Sequence, residues 1–408
     1  MDEKFLSNEI LKIYEPYLSI FPEYNKVFND LINNIIYKDN EGSFSLQYKL
    51  FYGFMASSTI GCENLLEDFI RIYSVLGGDK TWIEKGLECE SIPEHIKGMA
   101  NINNILAHKP WVMDWRHFAP FKKGLSVFFF QSAIILSTIQ RFATIISGLN
   151  LLIINDKAKE DKKDNQIKKN EEENEIEKNE EKIKEDNKIK EFLMKKKSKK
   201  IKREELIQKV ITSVKKNYSE NNEDENEGDN NILINKKEIF QKYISVLIVT
   251  YSDFNPHIEQ YLSTEDFNWK ANAKYFFSDY AGKDMDYLNK ELKTLENLSS
   301  EHIKNDIKIN IFNLREAIEK YLSLIFGIKN EDYNYHNNNL SMSVELKRII
   351  KKIACYPDQI QEKDFANYLE IINKEELIYL ILIVTSIKQK ISLTFFAKAF
   401  DDYTSNNS

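Results

Sequence analysis

The chain has 408 residues and a mass of 48.1 kDa, enough for about two or three domains. Its 12 Gly and 7 Pro are too few for a sandwich, barrel or propeller, since such folds need a turn about every 8–12 residues. A hydrophobic share of 42% excludes general disorder, and a net charge of −7 gives the molecule no overall attraction for nucleic acid or acidic membranes.

The cysteine content indicates the cellular compartment. The chain has three cysteines, which are Cys62, Cys89 and Cys355. An odd and sparse set is typical of a reducing compartment rather than of a secreted disulfide framework. Residues 1–5 have neither the basic flank nor the apolar stretch of a signal peptide. We therefore expect an intracellular protein in the cytoplasm, with the nucleus as a second location.

The most membrane-like segment of the chain runs from Leu125 to Ile154. Three polar residues interrupt it, namely Gln131, Gln140 and Arg141. Because a membrane-spanning helix needs about 20 nearly unbroken apolar residues, this segment is expected to form a buried core helix or helix pair. The sequence therefore predicts no membrane insertion.

A charged stretch divides the chain near its middle. Of the 35 residues from Asp156 to Lys190, 29 are Asp, Glu, Lys or Asn. This composition buries too little apolar surface to offset the entropy of ordering, which predicts a disordered low-complexity linker over residues 155–231. The basic run Lys195–Arg203 can be interpreted as a nuclear-localisation or nucleic-acid patch. We favour a solvated spacer, because mixed charge runs usually are one, and expect no nucleic-acid partner.

The two apolar regions on either side of the linker, residues 1–154 (the first half) and 232–408 (the second half), both show helical periodicity. Apolar residues recur at steps of three and four in the first half at Leu65, Phe69, Ile72 and Leu76. A similar stripe in the second half comprises Ile311, Leu314, Ile318, Leu322 and Ile325. Gly77 and Gly78 follow the first series as a C-cap should, and Asp79 stands where an N-cap belongs. The fold class predicted from these patterns is all-α.

The residues taken alone offer little catalytic chemistry. The sequence has no HExxH, no CxxC, no glycine-rich phosphate loop and no serine nucleophile elbow, so we expect no metal site and no cofactor. Cys62 is the one candidate nucleophile, because a thiol at a helix N-terminus can be activated by the helix dipole. A single cysteine among apolar neighbours is more often a small buried hydrophobic residue.

Five strings of the sequence are distinctive: residues 76–83 (LGGDKTWI), 103–111 (NNILAHKPW), 264–269 (TEDFNW), 314–318 (LREAI) and 326–335 (FGIKNEDYNY). In the same order they resemble the strings GGDPxWL, INKLLAHRPW, TQDYTW and LRRAIWNY…FGIRYDDYDY of the sestrins. The resemblance covers nearly everything except the charged linker.

This resemblance implies a fold and a function. It implies two all-α lobes like alkylhydroperoxidase AhpD and carboxymuconolactone decarboxylase, related by a pseudo-two-fold axis and joined by the linker at residues 155–231. Sestrins are stress-responsive regulators, some of which bind leucine. They restrain the TOR kinase complex by binding a GATOR assembly upstream of the Rag GTPases. The second half is then expected to bind the free amino acid and the partner.

The resemblance also implies an amino-acid site in the second half. Arg315 falls on the residue that meets the carboxylate in leucine-binding sestrins, and Glu376 falls on the residue that meets the ammonium. A buried zwitterion needs both charges matched. Leu314 falls on an apolar contact beside this pair. Ser299 keeps one hydroxyl of the lid of the site.

Two other positions of the family's amino-acid site also differ in this chain. Leu369 replaces the tryptophan that floors the pocket, and Tyr14 replaces a histidine that latches the lid. The change from Trp to Leu removes an aromatic contact and opens volume, so we expect leucine to bind weakly or a bulkier amino acid to be preferred.

Two further family sites are carried over. The acidic pair with which sestrins contact the GATOR complex corresponds to Glu331 and Asp332. Cys62 falls on the sestrin peroxidase cysteine, but its relay partners, a Tyr and a His, are replaced by Asn64 and Phe69. Without a base, the thiol lacks general acid–base help, so loss of peroxidase activity is expected.

Three hypotheses remain open from the sequence. The first is a non-enzymatic amino-acid sensor that regulates the TOR pathway, and it is the one we adopt. The second is a thiol-dependent alkyl hydroperoxide reductase that uses Cys62, for which another residue would have to supply the base. The third is a scaffold that binds partners through Glu331 and Asp332 and takes no small-molecule ligand.

Overall fold

The computed structural model describes residues 8–38, 44–121, 124–178, 240–244, 262–298, 311–329, 342–361, 364 and 373–407. Helices account for nearly all the regular structure of these residues, which confirms the predicted all-α class. The relation of the two halves to AhpD lobes, the pseudo-two-fold axis and the disorder of the linker stay predictions.

The described residues of the first half form α1 (Asn8–Leu18), α2 (Pro22–Ile32), α3 (Leu46–Ile60), α4 (Glu63–Val75), α5 (Lys80–Lys85), α6 (Glu94–His108) and α7 (Ser126–Lys178). Those of the second half form α8 (Lys274–Ala281), α9 (Lys283–Glu296), α10 (Ile311–Ile325), α11 (Val344–Cys355) and α12 (Lys374–Asn407). Single π-helical turns follow α2 at Asn33–Tyr37 and precede α8 at Trp269–Ala273.

Helix α4 shows how the periodic pattern becomes structure. Its apolar residues Leu65, Phe69 and Ile72 are all fully buried, as the steps of three and four predict. The chain then turns through Gly77 in the left-handed region (φ +73°), and the Asp79 side chain accepts a hydrogen bond from the Thr81 N–H at 2.9 Å as the N-cap of α5. The predicted boundaries are confirmed here.

Helix α7 is one continuous helix. The sequence predicted either one helix or a helix pair in this segment. It begins at Ser126 and its backbone is helical to Lys178, so it includes the first residues of the predicted linker. By length and composition alone, α7 and α12 are each long and apolar enough to cross a membrane. In each of these two helices 94% of the apolar window is buried inside the structure, as is typical of core helices.

The described residues contain one small parallel strand pair, in which β1 (Leu262–Ser263) lies beside β2 (Ile328–Lys329). Two-residue strands are too short to show a period in the sequence, so the pattern did not predict them. Because β1 precedes α8 and β2 follows α10, the strand pair brings the chain before α8 next to the end of α10.

Residues 1–155 and 234–408 form one compact unit, and residues 156–233 form a second unit. In the first of these units, helices of both halves contribute to one hydrophobic core. Helices α7 and α12 cross closely at Gly148, where a Cβ atom would lie only 2.8 Å from Ile381 Cδ1. The two halves therefore share their packing rather than forming separate cores.

Candidate functional site

Arg315 on α10 holds the C-terminal end of α9. Its Nη1 donates to the Glu296 carbonyl oxygen at 2.5 Å, and its Nη2 donates to the Leu295 carbonyl oxygen at 3.1 Å. The last carbonyl groups of a helix have no partner within the helix, and a cation there also complements the helix dipole. Arg315 therefore supplies the hydrogen bonds that α9 itself cannot make.

The same guanidinium group reaches α12. Arg315 Nη2 also donates to the Tyr379 hydroxyl at 2.7 Å. Tyr379 is only 4% exposed, and burial raises the pKa of its hydroxyl. Arg315 thus links three helices of the second half: α9, α10 and α12.

Glu376 lies in the first turn of α12 and is 8% exposed. Its Oε2 accepts a hydrogen bond from the Asn373 N–H at 2.9 Å, and its own N–H donates to Asn373 Oδ1 at 2.8 Å. These two bonds form a capping box. A carboxylate in the first turn also favours the positive end of the helix dipole.

The structure brings the two predicted charges to the same face of α12. Tyr379, the partner of Arg315, lies three residues after Glu376, and side chains three residues apart on a helix are neighbours. Leu314, which precedes Arg315 in α10, is partly buried and packs against the core. Arg315 therefore contacts α12 at Tyr379, one helical turn after Glu376.

The first half of the chain also contributes to this neighbourhood, which sequence reasoning did not predict. The Lys374 ammonium lies 4.2 Å from the centre of the Tyr17 ring, a cation–π contact. The ring of Phe21 packs against that of Tyr379 with 6.2 Å between centroids. Tyr17 lies three residues after Tyr14 in α1 and Phe21 lies just before α2, so the available signal was an aromatic series at steps of three and four in residues 14–21.

Tyr14 makes its contacts near Cys62. Its hydroxyl donates to Asn150 Oδ1 at 2.8 Å, and the residue is 2% exposed. Burial raises the pKa of the Tyr14 hydroxyl to about 12, although hydrogen bonds with Asn64 and Asn150 oppose the shift. Among the described residues the hydroxyl bonds with Asn150 and Asn64 and not with Arg315 or Glu376, so the role of Tyr14 in the amino-acid site stays a prediction.

Cys62 lies at the N-terminus of α4, as the sequence predicted, and is 3% exposed. Burial raises the pKa of its thiol to about 11, and hydrogen bonds with the Leu65 backbone and the Ser147 side chain only partly oppose this. Phe69, which stands in place of the relay histidine, is fully buried and stacks on Tyr37 at 6.1 Å. The thiol therefore lies in a dry environment that disfavours the thiolate.

Four of the predicted site residues, Ser299, Leu369, Glu331 and Asp332, lie outside the described residues. Two clefts open in the described part of the chain, with volumes of about 830 and 680 Å³. Neither is lined by Arg315 or Glu376. The described residues contain no cluster of His, Cys, Asp or Glu that could hold a metal ion.

A buried ion pair joins the two halves close to this site. Arg141 Nη1 donates to Glu291 Oε2 at 2.5 Å, and Arg141 Nη2 donates to Glu291 Oε1 at 2.7 Å. The two side chains are 1% and 0% exposed. The signal in the sequence is an arginine inside the long apolar segment Leu125 to Ile154.

The family model described as PA26 p53-induced protein (sestrin) matches residues 1–404 of this chain. The chain belongs to the sestrin family. Mouse Sestrin-3 is 21% identical over 395 residues, which cover 88% of this sestrin and 79% of the mouse protein. Human Sestrin-2 is 20% identical over 424 residues, which cover 95% of this sestrin and 82% of the human protein.

For another sestrin the aligned stretch is shorter. The Sestrin homolog of Dictyostelium discoideum is 24% identical over 158 residues, which are 38% of this sestrin and 26% of that protein. The family predicted from the five strings is thus confirmed, and the chain is a sestrin-type stress-response regulator.

Proposed function

We propose that this sestrin is a non-enzymatic regulator that binds a free amino acid, leucine or a similar one, between Arg315 and Glu376. In this proposal it restrains TOR complex signalling through a GATOR-type partner. The supporting observation is that Arg315 contacts Tyr379, one turn after Glu376 on the same face of α12. A cation and an anion on one partly buried face match the two charges of a free amino acid.

The hydrogen bonds of Arg315 leave room for a carboxylate. A guanidinium group has five N–H donors, and the bonds to Leu295, Glu296 and Tyr379 use three of them among the described residues. The two that remain, Nε–H and the second N–H of Nη1, lie on opposite sides of the guanidinium group, so a ligand carboxylate would accept a charge-assisted hydrogen bond from one of them. The three existing bonds fix the plane of the guanidinium before a ligand arrives, which lowers the entropic cost of binding.

The remaining predicted residues complete the proposal. Ser299 and Leu314 would contact the ligand, Leu369 would form the floor of the pocket, and Tyr14 would act from the first half. With Leu369 as the floor, an amino acid larger than leucine is a candidate ligand. Glu331 and Asp332 would steer the encounter with the GATOR-type partner, since exposed charges mainly govern association.

A thermal-shift screen of the full chain against free amino acids tests this proposal, because a ligand that binds only the folded state raises the melting temperature. The informative variants are Arg315→Lys and Glu376→Gln. Lys keeps the positive charge at the end of α9, and Gln keeps the capping box, so both variants should fold. Each should abolish the shift for leucine or a larger apolar amino acid.

A matched control is Arg116→Lys, at an arginine of the first half whose side chain is 74% exposed, which should leave the shift unchanged. No shift with any free amino acid at millimolar concentration would contradict the proposal and favour the scaffold. The alternative of a hydroperoxide reductase has the burial of Cys62 against it, since a thiol with a pKa of about 11 is almost fully protonated at neutral pH.

A further inference from the structure

We propose that the buried ion pair between Arg141 and Glu291 positions Arg315 for the amino-acid site, acting from the first half of the chain through α9. This inference rests on the function proposed above. It assigns a role in ligand recognition to two residues that contact no ligand.

The ion pair fixes α9 against the first half. Both Nη atoms of Arg141 bind the Glu291 carboxylate, and such a bidentate pair allows one orientation of the two side chains. Arg141 is itself held by the Tyr24 hydroxyl at 3.0 Å and by Gln389 Oε1 at 3.3 Å. Gln389 in turn donates to the hydroxyls of Ser137 and Thr138 at 3.1 and 3.2 Å. The network therefore sets the position of α9 relative to α2, α7 and α12.

The end of α9 lies one helical turn beyond Glu291. Leu295 is four residues further along the chain and lies on the same face of the helix. The carbonyl groups that hold Arg315 are those of Leu295 and Glu296. The Glu296 side chain also accepts a hydrogen bond from Lys390 Nζ at 2.7 Å, and Lys390 follows Gln389 in α12. The ion pair and the anchors of Arg315 thus belong to one connected set of bonds.

The consequence concerns the geometry of Arg315. Its guanidinium points at the Tyr379 hydroxyl only while the two carbonyl groups of α9 stay in place. If α9 shifts along its axis, the plane of the guanidinium turns and the group loses its fixed orientation at Tyr379, one helical turn after Glu376. Because coupling between sites is reciprocal, an amino acid bound at Arg315 would also strengthen the contact of α9 with the first half.

The test uses the full chain with the double substitution Arg141→Met and Glu291→Met. Replacement of a buried ion pair by apolar residues of similar volume is often neutral for stability, so this variant should fold. The matched control is Gln140→Met, the adjacent buried residue, whose side chain donates instead to the Asn103 backbone oxygen and to Asn103 Oδ1, both at 2.8 Å.

Two quantities are measured. The first is hydrogen exchange at the amide of Asn297, which donates to the Lys293 and Thr294 carbonyl oxygens at 3.1 and 3.2 Å and reports on the end of α9. The second is the Kd for the probes L-leucine and L-phenylalanine, by calorimetry on folded protein. We expect the double variant to exchange faster at Asn297 and to bind about tenfold more weakly, a typical size for coupling between sites. The control should match the wild type in both.

Each result decides between positioning and a purely structural role. Unchanged exchange at Asn297 overturns the inference, and so does faster exchange with a Kd unchanged within about twofold, because a structural role lowers stability without altering the affinity of the folded protein. If the wild type binds neither probe, the proposed function fails for these ligands. In that case exchange at Asn297 alone decides whether the ion pair holds the anchors of Arg315.

Discussion

Burial controls the protonation of single side chains in this molecule, and the cysteines give a direct test. Burial raises the thiol pKa to about 11 at Cys62 and to about 12 at Cys355. At Cys89 burial also favours a higher thiol pKa, but hydrogen bonds with Ser91 and Thr81 outweigh burial, so the pKa of this thiol is lowered. The three thiols are therefore not equivalent, although all are buried.

We predict that iodoacetamide at pH 7 alkylates Cys62 and Cys355 far more slowly in the folded protein than in the unfolded chain. The reason is that a thiol with a pKa of about 11 has roughly 10⁻⁴ of its population as thiolate at pH 7. Mass spectrometry of peptides after timed quenching measures each site, with Cys89 as the internal comparison. Labelling of Cys62 at the rate of the unfolded chain would contradict the burial argument.

The stability of the fold depends on pH through the ring of His108. Its Nε2 donates to the Thr59 carbonyl oxygen at 3.1 Å, and burial lowers the pKa of the ring to about 4, with the charge of Lys388 acting in the same direction. The folded state therefore holds the neutral ring, whereas the unfolded chain binds a proton below its ordinary pKa of 6.5. Stability is full above about pH 6.5 and is lost as the pH falls toward 4.

We expect His108 to account for about 2 kcal/mol of the stability lost between pH 7 and pH 4, after allowance for its partial exposure. In the variant His108→Gln this part of the pH dependence should disappear. Urea unfolding at several pH values measures it, and His117→Gln serves as the control. Equal slopes of stability against pH in wild type and His108→Gln would show that the ring does not carry the effect.

At the scale of elements, the close contact of α3 with α4 depends on Gly53, a residue with no side chain. A Cβ atom at Gly53 would lie 2.6 Å from Cγ of the Phe69 ring, so the two helices approach more closely than any other residue permits. Gly in a helix interior normally costs about 1 kcal/mol relative to Ala. Here the close approach offsets that cost.

We predict that Gly53→Ala lowers the free energy of unfolding by about 1–2 kcal/mol, because overpacking outweighs the gain in helix propensity. Adding Phe69→Leu should return part of the loss by making room for the new methyl group. Urea denaturation of both variants measures this. A more stable Gly53→Ala protein would mean that α3 and α4 can move apart freely.

Much of the helical structure was predictable from the sequence. The stripes at Leu65–Leu76 and Ile311–Ile325, the cap at Asp79 and the buried character of α7 all follow from local periods and capping chemistry. The π-helical turn at Asn33–Tyr37 did not, because its geometry is set by packing rather than by residue type. The partner of Arg141 was also unpredictable, since a contact 150 residues away leaves no trace in a local pattern.

The candidate site was predictable only in its charges. The family resemblance pointed to Arg315 and Glu376, and both lie at one face of α12. It did not predict that Arg315 also caps α9, because that depends on where α9 ends in space. Tyr17 and Phe21 were missed for the same reason, since they approach α12 from the other half of the chain.

At the scale of the whole molecule, the two halves behave as one body with a long connection. Residues 1–155 and 234–408 form one compact unit, and the composition of residues 155–231 predicts a disordered spacer. We therefore expect limited trypsin treatment to cut within the spacer while the two fragments stay together on gel filtration. Fragments that elute separately without denaturant would contradict the shared core. Denaturing electrophoresis of the same peak confirms the cut.

The distance along the chain between Arg141 and Glu291 has a consequence for synthesis. The two residues are 150 positions apart, and ribosomes add about 5–20 residues per second. For roughly 8–30 s the nascent chain thus carries an apolar helix with a charge at its centre and no carboxylate to meet it. α12, which closes the core, is translated later still. We therefore expect molecular chaperones to bind α7 in the growing chain until the second half has left the ribosome.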